Sequence, residues 1–245
     1  MMQILKKNDP IDASLARQGF IALINKPQDW TSFDVVNKIR HALKIKKVGH
    51  AGTLDPFATG LLIVGAGRGT RALSQFMNLD KTYRAVIRLG VETDTYDVTG
   101  KVVKEQDTQM ITRQDVEAVI NEMQGEMLQV PPMYSAKKIK GQPLYKLARK
   151  GKEVEREPQK VVIHQAKMLS WQPPLVEVEL TVSKGTYIRT YAHDLGQKLG
   201  VGAMLAELAR TKIGAFCLEE SFELNAFIEN WKQTVGQGDE DHKRA

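Results

Sequence analysis

Cysteine is almost absent: Cys217 is the only one in 245 residues, so no intrachain disulfide can form and a reducing compartment is expected. Histidine is sparse too. His41, His50, His164, His193 and His242 make no ligand pair at metal-binding spacing, which predicts no zinc site. No apolar run is long enough to cross a bilayer, and the first ten residues lack the hydrophobic stretch of an export signal; a soluble, cytoplasmic protein is expected, with no membrane partner. Low-complexity tracts and internal repeats are missing, which excludes wholesale disorder and solenoid architectures. Even the glycine-rich Gly65-Ala66-Gly67-Arg68-Gly69-Thr70 lacks the Walker lysine and serine and the full dinucleotide fingerprint, so no nucleotide cofactor is predicted. It reads as a strand-to-helix turn leading into Ala72, Leu73 and Phe76, with Arg68 and Arg71 available to phosphate.

Hydrophobic residues make up 42%, enough for a sizeable core, and the surplus of base over acid is +6 with a pI near 9.2, which favours a polyanionic partner. A strand is predicted from Phe20 to Asn25. After a Lys26-Pro27-Gln28-Asp29 turn, a helix follows from about Ser32 with Val35, Val36, Ile39 and Leu43 on one side. Residues 81–89 alternate, Tyr83, Ala85, Ile87 and Leu89 on one face and Thr82, Arg84, Val86 and Arg88 on the other. Thr112 to Asp115 resembles a capping box ahead of Val116, Val119, Ile120 and Met123 at helical spacing. Further strands are read over 161–168 and 176–183. Strands and helices do not alternate regularly, and adjacent strands in the second half can form hairpins. The predicted fold class is therefore α+β, a mixed, mainly antiparallel sheet flanked by helices. One domain over residues 1–235 is expected, followed by a polar tail, 236–245.

A basic insertion arm, about 125–160, interrupts this pattern. Between Lys137 and Lys160 nine residues are basic and three acidic, and Tyr134 and Tyr145 are interleaved with lysines that include Lys137, Lys138 and Lys140. Such a segment suits phosphate contacts with base stacking on looped RNA; it also suits a solvated charged surface.

The candidate reactive group is Asp55, within Gly49-His50-Ala51-Gly52-Thr53-Leu54-Asp55-Pro56-Phe57-Ala58-Thr59-Gly60. Pro56 biases Asp55 away from helical dihedrals, Gly52 and Gly60 permit close backbone approach, and Leu61-Leu62-Ile63-Val64 anchors the loop in a core. An Asx turn before Pro56 explains Asp55 equally well from this segment alone. Tyr187 and Arg189 follow a glycine turn at a strand end, where an arginine can pair with a buried carboxylate. An aspartate titrates near ~3.9 and lower beside a guanidinium, so such a group is a permanent anion suited to nucleophilic attack. Tyr83 offers a ring face to a nucleobase or fills the core; His50 can stack on RNA or stand as polar surface.

These segments, with Gly19-Phe20, Lys26-Pro27, Lys81-Thr82-Tyr83, Asp94-Thr95-Tyr96-Asp97, Pro131-Pro132-Met133-Tyr134-Ser135-Ala136-Lys137 and Gly185-Thr186-Tyr187-Ile188-Arg189, closely resemble the bacterial tRNA pseudouridine synthase B (TruB) family, in order and spacing over roughly residues 19 to 216. The resemblance implies a pseudouridine synthase fold and an isomerase, without metal or organic cofactor, that converts the T-loop uridine at tRNA position 55 to pseudouridine. It implies Asp55 as the catalytic aspartate, Tyr83 as a base-stacking tyrosine, Tyr187 as a second active-site tyrosine and Arg189 as the partner of the aspartate. Asp97 and Leu208 look like pocket residues, His50 like the histidine beside the flipped-out part of the loop, and the basic arm like the family's RNA grip, with Tyr134, Lys137, Lys138 and Lys140 on the substrate. The expected partner is the T-arm of tRNA, bound by a monomer. Family members usually carry a further small RNA-binding domain, and none is evident before Ala245. A non-catalytic RNA-binding or tRNA-folding protein, and a nucleosidase cutting the same bond, are the competing function classes.

Overall fold

The computed structural model describes residues 2–12, 14–135, 137–139, 141–148, 151–152 and 154–241. The chain divides into two compact units, one formed by Met1–Lys81 with Ala209–Ala245 and the other by Thr82–Leu208.

In the first unit, strand Phe20–Lys26 runs antiparallel to Thr59–Ala66, from Phe20 opposite Ala66 to Lys26 opposite Gly60. Val48–Ala51 pairs antiparallel with residues 63–66, while Ala209 and Arg210, from strand Ala203–Ile213, pair in parallel with Thr59 and Gly60. The apolar runs are buried on both sides, which is why they show no polar alternation. Phe20, Ile24, Leu62 and Val64 share one core with Val35 and Ile39 of helix Ser32–Leu43 and with Phe227 and Trp231 of helix Leu224–Asp241. Ile21, Leu23, Leu61 and Ile63 pack instead with Leu73, Phe76 and Ile213. Helix Ser32–Leu43 opens on a capping box, Asp34 N donating to Thr31 Oγ1 at 3.0 Å and Thr31 N to Asp34 Oδ2 at 2.9 Å, and it buries the expected stripe of Val35, Val36, Ile39 and Leu43. The glycine-rich stretch is a turn, as expected: a 3-10 segment Gly67–Ala72 continues into helix Leu73–Met77.

In the second unit, strands Lys81–Leu89, Leu175–Val182, Gln159–Gln172 and Gly125–Gln129 lie side by side in that order. Leu175–Val182 and Gln159–Gln172 form an antiparallel hairpin, and Gly125–Gln129 adds antiparallel to residues 159–163. The alternation read from the sequence is physical: Tyr83, Ala85, Ile87 and Leu89 are buried where Arg84 and Arg88 are exposed, and Val176, Val178, Leu180 and Val182 all point inward. The predicted capping box forms, with Asp115 N donating to Thr112 Oγ1 at 3.2 Å ahead of helix Arg113–Glu122. A second helix, Ile188–Lys198, and a hairpin of Val91–Thr93 with Val102–Glu105 complete the unit. Antiparallel pairs dominate and the few parallel ones are short, so the fold is α+β with a mixed sheet, as the sequence reading expects. Lys138–Ile139 pairs antiparallel with Gln142–Pro143 ahead of a short helix, Leu144–Ala148.

Candidate active site

The Asp55 loop is fastened by its backbone. Leu54, Phe57 and Ala58 are buried, and Leu54 N donates to Ser32 Oγ at 2.9 Å. Pro56 O accepts from Asp29 N at 2.9 Å and from Lys26 Nζ at 3.1 Å, and Ala58 N closes a turn on Asp55 O at 3.1 Å. Gly60, at φ 105°, lies so close to Arg210 that a β-carbon would stand 2.4 Å from the Arg210 carbonyl oxygen; no other residue fits there. Asp55 itself is partly exposed.

Two buried cations belong to this loop. The Lys26 ammonium, with 0% of the residue exposed, donates to Pro27 O at 2.8 Å, Trp30 O at 2.5 Å and Pro56 O at 3.1 Å. Burial pulls its pKa down to about 8, while the charges of Asp29 and Asp55 pull it up and that of Arg210 adds to the fall. Arg210 donates through Nε to Leu61 O at 2.8 Å, through Nη2 to Gly52 O at 3.1 Å and through Nη1 to Thr53 O at 3.5 Å. His50 is held below the ordinary imidazole range by burial first and by the Arg210 charge second.

Lys26→Met removes a donor from the carbonyls of Pro27, Trp30 and Pro56, the last of which keeps Asp29 N, and an expected loss of about 1–3 kcal/mol in unfolding free energy at neutral pH follows. The pH dependence has a definite sign. The folded chain releases the Lys26 proton near 8 and the unfolded chain near 10.5, so between those values the unfolded state binds more protons and Lys26 makes stability rise with pH. That contribution is complete above the upper value and lost as pH falls through the lower one. Urea titrations should therefore find a wider gap between parent and K26M at about pH 9.5 than at about pH 7.5; an unchanged gap would refute the assignment.

The other predicted residues lie in the second unit, where the structure brings several of them together. Arg189 sits in the first turn of helix Ile188–Lys198, its Nη1 3.3 Å from Asp97 Oδ2, both side chains 4% exposed. Its guanidinium also donates to Tyr134 O at 2.8 Å and to Thr95 O at 3.4 Å, so it gathers the Asp97 turn and the Tyr134 segment. Asp97 additionally accepts from Thr95 Oγ1 at 2.8 Å, Thr99 N at 2.9 Å and Thr99 Oγ1 at 2.5 Å. Tyr187 caps the same helix, and Gln129 grips its backbone twice: Tyr187 N donates to Gln129 Oε1 at 2.7 Å and Gln129 Nε2 to Tyr187 O at 3.0 Å. Tyr83 and Leu208 are buried. Tyr134 and Lys137 are partly exposed, Lys138 pairs with Pro143 through its backbone, and Lys140 lies outside the described residues.

Residues 40–188, more than half of the chain, match the family described as TruB family pseudouridylate synthase (N terminal domain). The chain belongs to the TruB family of pseudouridylate synthases. Residues 189–241 match the tRNA pseudouridylate synthase B C-terminal domain. Among curated relatives, the tRNA pseudouridine synthase B of Clostridium tetani is 52% identical over 201 residues, 82% of this chain and 70% of the relative. That of Aquifex aeolicus is 45% identical over 208 residues, 84% and 72% of the two chains. Among solved structures, an archaeal box H/ACA sRNP Nop10-Cbf5 complex superposes with a TM-score of 0.69 at 25% identity, covering 96% of this chain and 65% of that one. A Cbf5-Nop10-Gar1 complex gives 0.72 at 25% identity, with 96% and 64% covered. The fold is thus that of a pseudouridine synthase, and the family is one of isomerases.

Within this TruB-family fold, Arg210 and Gln129 organise the candidate residues, and the sequence reading missed both. A second basic stretch also went unremarked: residues 38–71 carry seven basic side chains against one acidic, Asp55, and Lys44, Lys46, Lys47, Arg68 and Arg71 are all exposed. Gly67 N donates to Lys47 O at 2.8 Å, setting two of these cationic segments side by side in the unit that holds Asp55.

Proposed function

We propose that this chain converts the T-loop uridine at tRNA position 55 to pseudouridine, with Asp55 as the catalytic aspartate. The observation that carries the reading is the Asp55 loop, in which the peptide groups around the aspartate are tied to Ser32, Lys26 and Arg210 while the carboxylate stays partly exposed. A side chain held so firmly on a fixed backbone suits a group that must meet one reacting atom. The curated relatives' name, tRNA pseudouridine synthase B, supports tRNA as the substrate.

The reaction breaks the bond from sugar C1′ to uracil N1 and forms one from C1′ to C5; a hydrogen leaves C5 and N1 gains one. Nothing is added or removed, so the balance requires no redox or energy source. Asp55 is the nucleophile. Tyr83 stacks on the base, Tyr187 and Arg189 serve in catalysis, and Asp97, Leu208 and His50 bind the substrate. The uridine must first leave its stack, at a cost of a few kcal/mol that base stacking and phosphate contacts offset. Incubation with a T-arm stem-loop, followed by chemical mapping and mass measurement, tests the activity. Pseudouridine at unchanged RNA mass supports it, whereas an abasic site and free uracil would mean a nucleosidase.

The arm supplies the grip through Tyr134, Lys137, Lys138 and Lys140. Replacing the three lysines together with glutamine is expected to weaken tRNA binding and to lower the slope of log affinity against log salt by about 2–3. Filter binding over a salt series reads this directly, and an unaltered slope would remove these lysines from the phosphate contacts.

A further inference from the structure

Among the described residues Arg210 is one of the largest fully buried side chains, 1% exposed, and its three described bonds all end on peptide carbonyls. The pattern of those carbonyls is informative. Gly52 and Thr53 precede Asp55 and Leu61 follows it, so one guanidinium ties both ends of the loop that carries the aspartate. The planar fork reaches both ends at once, which a lysine's single ammonium does not do in the same way. Its own backbone is fixed against the loop as well, since Arg210 pairs with Gly60 and leaves no room there for a β-carbon.

Its charge has a second consequence. Arg210 helps hold His50 below the ordinary imidazole range, and Asp55 and Arg210 both act on the buried ammonium of Lys26.

We propose that Arg210 is a positioning residue for catalysis, fixing the Asp55 carboxylate in its reactive place without touching the substrate. The inference rests on Asp55 being the catalytic aspartate. A loop released at both ends lets the carboxylate drift, and misplacement by an ångström costs on the order of 10²-fold in rate. Binding of the RNA, which depends on many phosphate contacts, is left nearly intact.

The test uses the full chain, a T-arm stem-loop and three variants. Arg210→Lys keeps a buried cation, Arg210→Gln keeps a planar donor without charge, and Asp55→Asn is the control. For each folded Arg210 variant, kcat is expected to fall by on the order of 10²-fold with KM within about threefold of the parent. Parental kcat in either variant, or an effect confined to KM, overturns the proposal. So does failure of both variants to fold, because Arg210 would then support the whole unit rather than one loop. Parental turnover by D55N would instead defeat the reading of Asp55, which separates the two failures.

Discussion

Asp55→Asn is expected to abolish pseudouridine formation, with turnover on a T-arm stem-loop reduced by at least about 10⁴-fold, while folding and tRNA affinity stay near parental values. The substitution keeps the size and shape of the side chain and removes only its charge and nucleophilicity. Folding should hardly register the change: the contacts that fix the loop are made by Leu54, Phe57 and Ala58 in the core and by carbonyls tied to Lys26 and Arg210. Loss in kcat with an unchanged dissociation constant identifies an interaction made in the transition state. A variant with near-normal turnover would return Asp55 to the role of a turn former and leave an RNA-binding protein as the better description.

Arg189→Met is expected to cost about 3–5 kcal/mol of stability, the largest effect of any single change considered for the second unit. The reason is the charge left behind. Asp97 stays buried with its three hydroxyl and peptide donors but without the guanidinium 3.3 Å away, and Tyr134 O loses its donor. Asp97→Asn in the same background should recover part of the loss, since the uncompensated charge is then gone; the double-mutant cycle in urea measures the coupling. Independent, additive effects would mean that the pair is not the link between the Asp97 turn and helix Ile188–Lys198. Activity should fall with stability in R189M, because the Asp97 turn, the Tyr134 segment and the helix capped by Tyr187 share this one guanidinium.

Much of this architecture is legible in the sequence because its signals are local. The alternation of Lys81–Leu89, the inward row from Val176 to Val182, and the reciprocal bonding of Thr112 with Asp115 each depend on residues within a few positions of one another. The reading of Gly65 to Thr70 as a strand-to-helix turn agrees with the 3-10 segment and the helix found there. What stays hidden is what folding brings from afar. Arg210 meets carbonyls about 150 residues earlier in the chain, and Gln129 reaches the backbone of Tyr187, 58 residues on. An arginine on a strand gives no hint of this, except that position 210 shares the buried register of Leu208. The hairpin of Val91–Thr93 and Val102–Glu105 went unread for a different reason. Val102 and Val103 are both exposed, so the apolar-in, polar-out rule that marks other strands fails.

The close approach at Gly60 bears on how this gene can vary. Every glycine codon becomes another residue's codon, or a stop, when its first or second base changes, whereas changes at the third base are silent. A β-carbon of any kind collides with the Arg210 peptide. In a randomised library screened for function, codon 60 should therefore come back with synonymous differences only, a footprint of backbone crowding written in nucleotides rather than in side-chain chemistry.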